Sequence, residues 1–130
     1  GDVYKRQLWD CLMHFRPSGL RVKPPTYVPA LVAITQTSIV GRKRRRLAPR
    51  EAARLQGFPD EFSFAGQPDA KTYKQLGNGV NVGVVWNVLK MHCDRDRRIL
   101  ESTASGRRIL NAVDAAPASP DEAVRKLLTR

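Results

Sequence analysis

The sequence predicts an α/β fold, mostly helical with a few short strands, on three observations. The apolar run at residues 29–35, Pro29-Ala30-Leu31-Val32-Ala33-Ile34-Thr35, is bounded by proline and polar residues and reads as a strand buried on both faces. At residues 80–100, Val80, Val84 and Val88 join Val82, Val85 and Leu89 in a broad apolar face at helical spacing, as on a helix packed against a sheet. Residues 49–56 open with a proline and close before Gly57, the punctuation of a short helix.

In chain order, residues 8–28 mix aromatic, basic and turn residues and read as irregular loop with short extended pieces. Residues 41–46 form a basic turn. The helix at 49–56 carries Glu51 in its first turn, and Leu47, Ala52, Leu55 and Phe58 make one apolar side. Residues 60–71 are a polar loop, and 73–76 one helical turn that breaks at Gly77-Asn78-Gly79. The long helix at 80–100 ends in a charged stretch, 94–98, and from Glu101 the pattern weakens. Residues 115–120 are a small-residue linker. Ser119-Pro120-Asp121-Glu122 then starts a last helix, with Ala123, Val124, Leu127 and Leu128 on its apolar side. There is no internal repeat.

With 130 residues the chain is long enough for one domain with a core. Its net charge of +11 favours a polyanionic partner, nucleic acid above all, over a merely solvated basic surface. Cys11 and Cys93 lie far apart and imply no disulfide framework, so a reducing, cytoplasmic location is the default. The longest apolar stretches, 29–34 and 82–89, are too short to span a bilayer. The start lacks the apolar region of a signal peptide and an initiator Met. Residues 1–7 read as a non-native leader, set aside from fold reasoning.

Three clusters are candidates for chemistry. Gly77-Asn78-Gly79 ahead of an apolar helix sets bare backbone and a helix N-terminus beside open space, either a seat for a small polar ligand or a plain corner. Arg42-Lys43-Arg44-Arg45-Arg46 with Arg50 could neutralise phosphates or read guanine edges, or form a solvated loop. Glu51 and Arg54, at i, i+3, can pair across one turn, with Gln56 just beyond. Cys11, His14, His92 and Cys93 make a poor zinc set, because adjacent ligands at 92 and 93 suit a tetrahedral site badly; no metal is expected.

Two segments say more. Arg46-Leu47-Ala48-Pro49-Arg50-Glu51-Ala52-Ala53-Arg54-Leu55-Gln56-Gly57-Phe58-Pro59-Asp60 is followed, about a dozen residues later, by Tyr73-Lys74-Gln75-Leu76-Gly77-Asn78-Gly79-Val80-Asn81-Val82. Together they resemble motifs IX and X, the last two conserved blocks of the DNA cytosine-5 methyltransferases of bacterial or phage type. The resemblance runs over about residues 15–95. It implies the C-terminal fragment of a Rossmann-like S-adenosylmethionine-dependent methyltransferase. Residues 8–45 would be the end of the target-recognition region, with Pro29-Ala30-Leu31 at the strand that returns to the catalytic domain. Residues 46–100 would be the C-terminal part of the catalytic domain, and 101–130 a tail. By resemblance Asn78 and Gly79 line the cofactor, S-adenosylmethionine. Arg42, Lys43, Arg44, Arg45, Arg46 and Arg50 lie near the DNA cleft, and Glu51, Arg54 and Gln56 are structural. Ala48 stands where the family has a Thr or Ser that caps the helix and forms a capping box with Glu51. Its loss costs on the order of 1 kcal/mol.

The family's chemistry also needs a cysteine in a Pro-Cys pair to attack C6 of cytosine, a glutamate on N3 and an arginine-rich strand. Neither Cys11 nor Cys93 follows a proline, and no Glu-Asn-Val, Gln-x-Arg-x-Arg or glycine-rich cofactor run occurs. The expectation is a fragment, inactive alone, that works on duplex DNA with a missing N-terminal catalytic half in a restriction-modification setting. The alternatives are a stand-alone basic nucleic-acid-binding module and one half of a split methyltransferase.

Overall fold

After a single 3-10 turn at Leu8–Asp10, alternation at period two governs the chain. Leu12-Met13-His14-Phe15-Arg16 and Gly19-Leu20-Arg21-Val22-Lys23 pair as an antiparallel hairpin, β1 (Leu12–Arg16) and β2 (Gly19–Lys23). The computed structural model describes residues 8–32 and 37–129. Gly19 closes the turn at φ +112°, where a side chain is strained. Two short strands, β3 (Ile39–Val40) and β4 (Arg45–Arg46), extend the sheet in the order β2-β1-β3-β4, antiparallel throughout. The irregular loop expected over 8–28 is therefore corrected to a hairpin. The strand expected at 29–35 is not found at 29–32, and 33–36 lie outside the described residues, as does the expected leader 1–7.

The chain divides into two compact units, one up to Ala52 with Phe64–Gly79, the other Ala53–Ser63 with Val80 onward. The first holds the sheet, the opening of α1 (Pro49–Leu55) and α2 (Asp69–Asn78). Cys11, Leu12, Met13, Leu47, Ala52 and Leu76 are its buried apolar residues, and Thr72, one turn before Leu76, is buried beside them. The helix expected as a single turn at 73–76 is in fact α2, which passes through Gly77 and Asn78 and ends at Gly79. One interior glycine costs only about 1 kcal/mol, too little to break a helix anchored by Thr72 and Leu76. Leu55, expected on the apolar side of α1, is exposed.

The second unit is helical: α3 (Val82–Arg95), α4 (Arg97–Glu101), α5 (Ala104–Ala115) and α6 (Pro120–Leu128). The single helix expected over 80–100 is interrupted at Asp96. Cys93, Leu110 and Val113 form the core, with Trp86 and Leu100 packed against it. Arg97 bridges to Asp114 through two bonds, at 2.9 and 2.8 Å. Helix α5 occupies the stretch where the sequence pattern weakens. Thr103 Oγ1 caps it by accepting from the Gly106 N–H at 3.0 Å. A Cβ on Gly106 would overlap the backbone carbonyl of Leu100, so glycine is what lets α5 fold back on α4. Helix α3 carries the expected apolar face, but its unit contains no strand among the described residues. Val84, Val85, Val88, Leu89 and Met91 remain exposed, Met91 at 72%. No helix among the described residues is long and apolar enough to cross a membrane.

Candidate functional site

Helix α1 begins at Pro49, and the Ala52 N–H donates to the Ala48 carbonyl at 2.9 Å, which places Ala48 at the N-cap. Glu51 reaches back, and its Oε2 accepts from the Ala48 N–H at 2.9 Å, one half of a capping box. Arg45 grips the same carboxylate with two 2.8 Å bonds, and Lys43 adds a third at 3.0 Å. The Arg45 guanidinium, then the Ala48 N–H, hold the Glu51 carboxyl well below the usual carboxylate range against the opposing effect of partial burial. The expected pairing of Glu51 with Arg54 is corrected: Arg54 Nε and Nη2 donate to both oxygens of Asp60, at 2.6 and 2.7 Å. Glu51 is drawn instead toward the helix N-terminus and the bidentate partner on β4.

The basic run is engaged within the fold. Arg42 lies 3.4 Å from Asp10, and Lys43 and Arg45 share Glu51. Arg44, at φ +48°, stacks over the Trp9 ring at 5.0 Å. Arg46 donates to the Thr37 carbonyl at 3.1 Å, and Arg50 lies over the Phe64 ring at 5.3 Å.

Asn78 and Gly79 sit elsewhere than a helix start. Asn78 is the last residue of α2, and the Gly79 N–H donates to the Gln75 carbonyl at 3.0 Å. The positive helix end expected there is replaced by the carbonyl end of α2. Both residues are exposed, and a Cβ on Gly79 would meet only the Gln75 and Leu76 carbonyls, at 3.4 and 3.6 Å. An exposed side-chain amide thus stands next to an exposed glycine.

Sequence reasoning passed over Asn81. Its Oδ1 accepts from the Val84 N–H at 3.0 Å, capping α3, while its Nδ2 donates to the Leu55 carbonyl at 2.8 Å. The next N–H, of Val82, donates to the carbonyl of Gln56 at 2.9 Å. Gly57, at φ +82°, lets the chain turn there, and a Cβ on it would lie 3.3 Å from the Val82 Cβ. Gln56 thus has a structural part, through its backbone. An Asn directly before an apolar helical run is an N-cap signature, overshadowed here by the two neighbouring glycines.

The family model for C-5 cytosine-specific DNA methylase matches residues 9–93. The chain belongs to the C-5 cytosine-specific DNA methylase family. Type II methyltransferase M.AluI of Cellulosimicrobium cellulans is 62% identical over 121 residues, covering 93% of this methylase chain and 23% of that protein. That match reaches beyond residue 93 into the tail. Type II methyltransferase M.BanI of Aneurinibacillus aneurinilyticus is 46% identical over 70 residues, 48% of this chain and 16% of its own length. The tRNA (cytosine(38)-C(5))-methyltransferase of Mus musculus is 45% identical over 53 residues, 40% of this chain and 13% of its own. The methylase chain thus spans less than a quarter of the length of these relatives. No solved structure matches it. Membership brings the S-adenosylmethionine-dependent methyltransferase fold class, to which the described residues contribute helices and a small antiparallel sheet.

Proposed function

We propose that the chain is the C-terminal part of a DNA (cytosine-5-)-methyltransferase: the end of the target-recognition region at 8–45, motifs IX and X within 46–100, and a tail at 101–130. The whole enzyme transfers a methyl group to C5 of a cytosine flipped out of duplex DNA. The reading is carried by the join between the two motif-like segments, where Asn81 and Val82 bond to the carbonyls of Leu55 and Gln56. That join makes the end of one segment the support for the helix start of the other.

In this reading the chain supplies positioning and leaves the bond-making to the N-terminal half. Cys11 and Cys93 are buried and stand outside any Pro-Cys pair, so neither serves as the attacking thiolate. S-adenosylmethionine supplies the methyl group when bound. Asn78 offers its side-chain amide to it, and Gly79 leaves the wall flat. Arg42, Lys43, Arg44, Arg45, Arg46 and Arg50 present a basic edge to the DNA backbone; Glu51 holds Lys43 and Arg45 in place, and Arg54 pairs with Asp60.

Methyl transfer to DNA from tritiated S-adenosylmethionine tests the reading. The isolated chain gives background, and joining it to an N-terminal half that carries Pro-Cys and Glu-Asn-Val restores turnover; turnover by the isolated chain rejects it. In the joined enzyme, Asn78→Ala raises the cofactor dissociation constant and Gly79→Val raises it further. A Cβ at Gly79 makes only ordinary contacts within the chain, and normal binding by Gly79→Val would leave these residues a mere corner.

A further inference from the structure

The two faces of the β1–β2 hairpin differ in chemistry. Leu12 pairs with Lys23 and His14 with Arg21. Alternation across the strands then puts Leu12, His14, Arg16, Arg21 and Lys23 on one face and Met13, Phe15, Leu20 and Val22 on the other. The first face borders a shallow open depression, with Ser38 on its rim. His14 is 9% exposed, and its Nδ1 lies 3.3 Å from Ser38 Oγ.

Among the described residues no acidic side chain pairs with this face. Among the described residues Arg16 and Arg21 make no ion pair, and Lys23 hydrogen-bonds to the neutral phenol of Tyr27 at 3.2 Å. In the basic run, by contrast, Arg42 faces Asp10, and Lys43 and Arg45 share Glu51. Three cations of that run meet a carboxylate, while among the described residues those of the hairpin meet none.

We propose that this face of the hairpin, His14 with Arg16, Arg21 and Lys23, is a seat for a backbone phosphate of nucleic acid. The proposal rests on the reading of the chain as part of a DNA-modifying enzyme. The depression holds only about 10 Å³, about the room of one water molecule, so it encloses no ligand and can meet only a group presented at its mouth. Two guanidinium forks match phosphate geometry, and the ammonium adds a point charge. His14 couples the seat to pH. The charged groups facing it are Arg16 on its own strand, Arg21 and Lys23 on β2 and Arg46 on β4, all positive. Burial first, then Arg16, Arg21 and Arg46, push its pKa below the usual histidine value. A phosphate opposes that shift, so binding takes up a proton and strengthens as pH falls.

The test is a salt series of fluorescence-anisotropy titrations of the full chain with a labelled DNA duplex, at about pH 6 and about pH 8, either side of the ordinary histidine pKa. Arg16→Gln with Arg21→Gln is expected to flatten the slope of log K against log salt by about 0.9, the share of the one phosphate no longer neutralised. Arg107→Gln with Arg108→Gln, both exposed on α5, removes the same charge and is expected to leave the slope unchanged. His14→Gln abolishes the pH dependence, and His92→Gln keeps it. A slope that the hairpin pair leaves unchanged, or that both pairs flatten equally, overturns the seat and leaves DNA binding intact. No salt-dependent binding by the unmodified chain overturns the seat and the DNA reading together. Saturation of the His14 ring resonances by millimolar inorganic phosphate, with loss of DNA binding, assigns the seat to free phosphate and overturns the backbone assignment.

Discussion

The phenol of Tyr73 donates a 2.7 Å hydrogen bond to the backbone carbonyl of Leu47, across 26 residues of sequence. The bond ties α2 to the segment that leads into α1. Leu47 is buried, and burial is the main cause that raises the Tyr73 pKa above its ordinary value. Tyr73→Phe keeps the ring and strands the carbonyl. The expected loss is about 1–2 kcal/mol, seen as a lower urea midpoint at unchanged slope. An unchanged midpoint would mean that water replaces the phenol at no cost.

Glu51 makes stability depend on acid. Its folded pKa lies below that of an unfolded glutamate, about 4.3. The sign follows: the contribution is fully present above the unfolded value and is lost as pH falls through about 4 toward the depressed folded value. Glu51→Gln is expected to cost about 1.5–3 kcal/mol at neutral pH, since the lost bonds involve a charged group. It should also flatten the melting temperature between about pH 5 and pH 2. A mutant whose acid profile overlays that of the unmodified chain rules out this carboxylate as the source.

Ala48→Thr supplies the acceptor missing from a capping box of which Glu51 already forms the other half. A gain of about 0.5–2 kcal/mol in thermal or urea unfolding is expected. A loss of stability would show that the site has no room for the branched side chain.

Asn81 acts twice, as cap of α3 and as donor to Leu55. Asn81→Asp keeps the cap and removes the donor, while Asn81→Ala removes both. The alanine variant should lose about 1–3 kcal/mol, and the aspartate variant less. Equal losses would place the whole effect in the bond to Leu55.

Local punctuation was legible in the sequence. Pro49, Glu51 and Gly57 bound α1 within one residue of its expected end, because each acts on its immediate neighbours. The hairpin was not, because its alternation sets arginine and lysine against valine and leucine in strands of five residues, too short to stand out from a loop. Helix α5 was hidden for another reason: its place depends on Gly106 passing the Leu100 carbonyl, a tertiary approach. At the candidate site, sequence singled out Asn78, Gly79 and the basic run. It could not tell that Asn78 closes one helix while Asn81 opens the next, nor that Asp10 and Glu51 engage Arg42, Lys43 and Arg45. Charge density is written in one dimension, and its neutralisation in three.

Helix α3 leaves Val84, Val88 and Met91 uncovered along one side, with Val85 and Leu89 next to them. An apolar stripe of that kind is what chaperones hold and quality-control proteases recognise. Expression of this chain by itself is therefore expected to put more of it in inclusion bodies than in the soluble fraction.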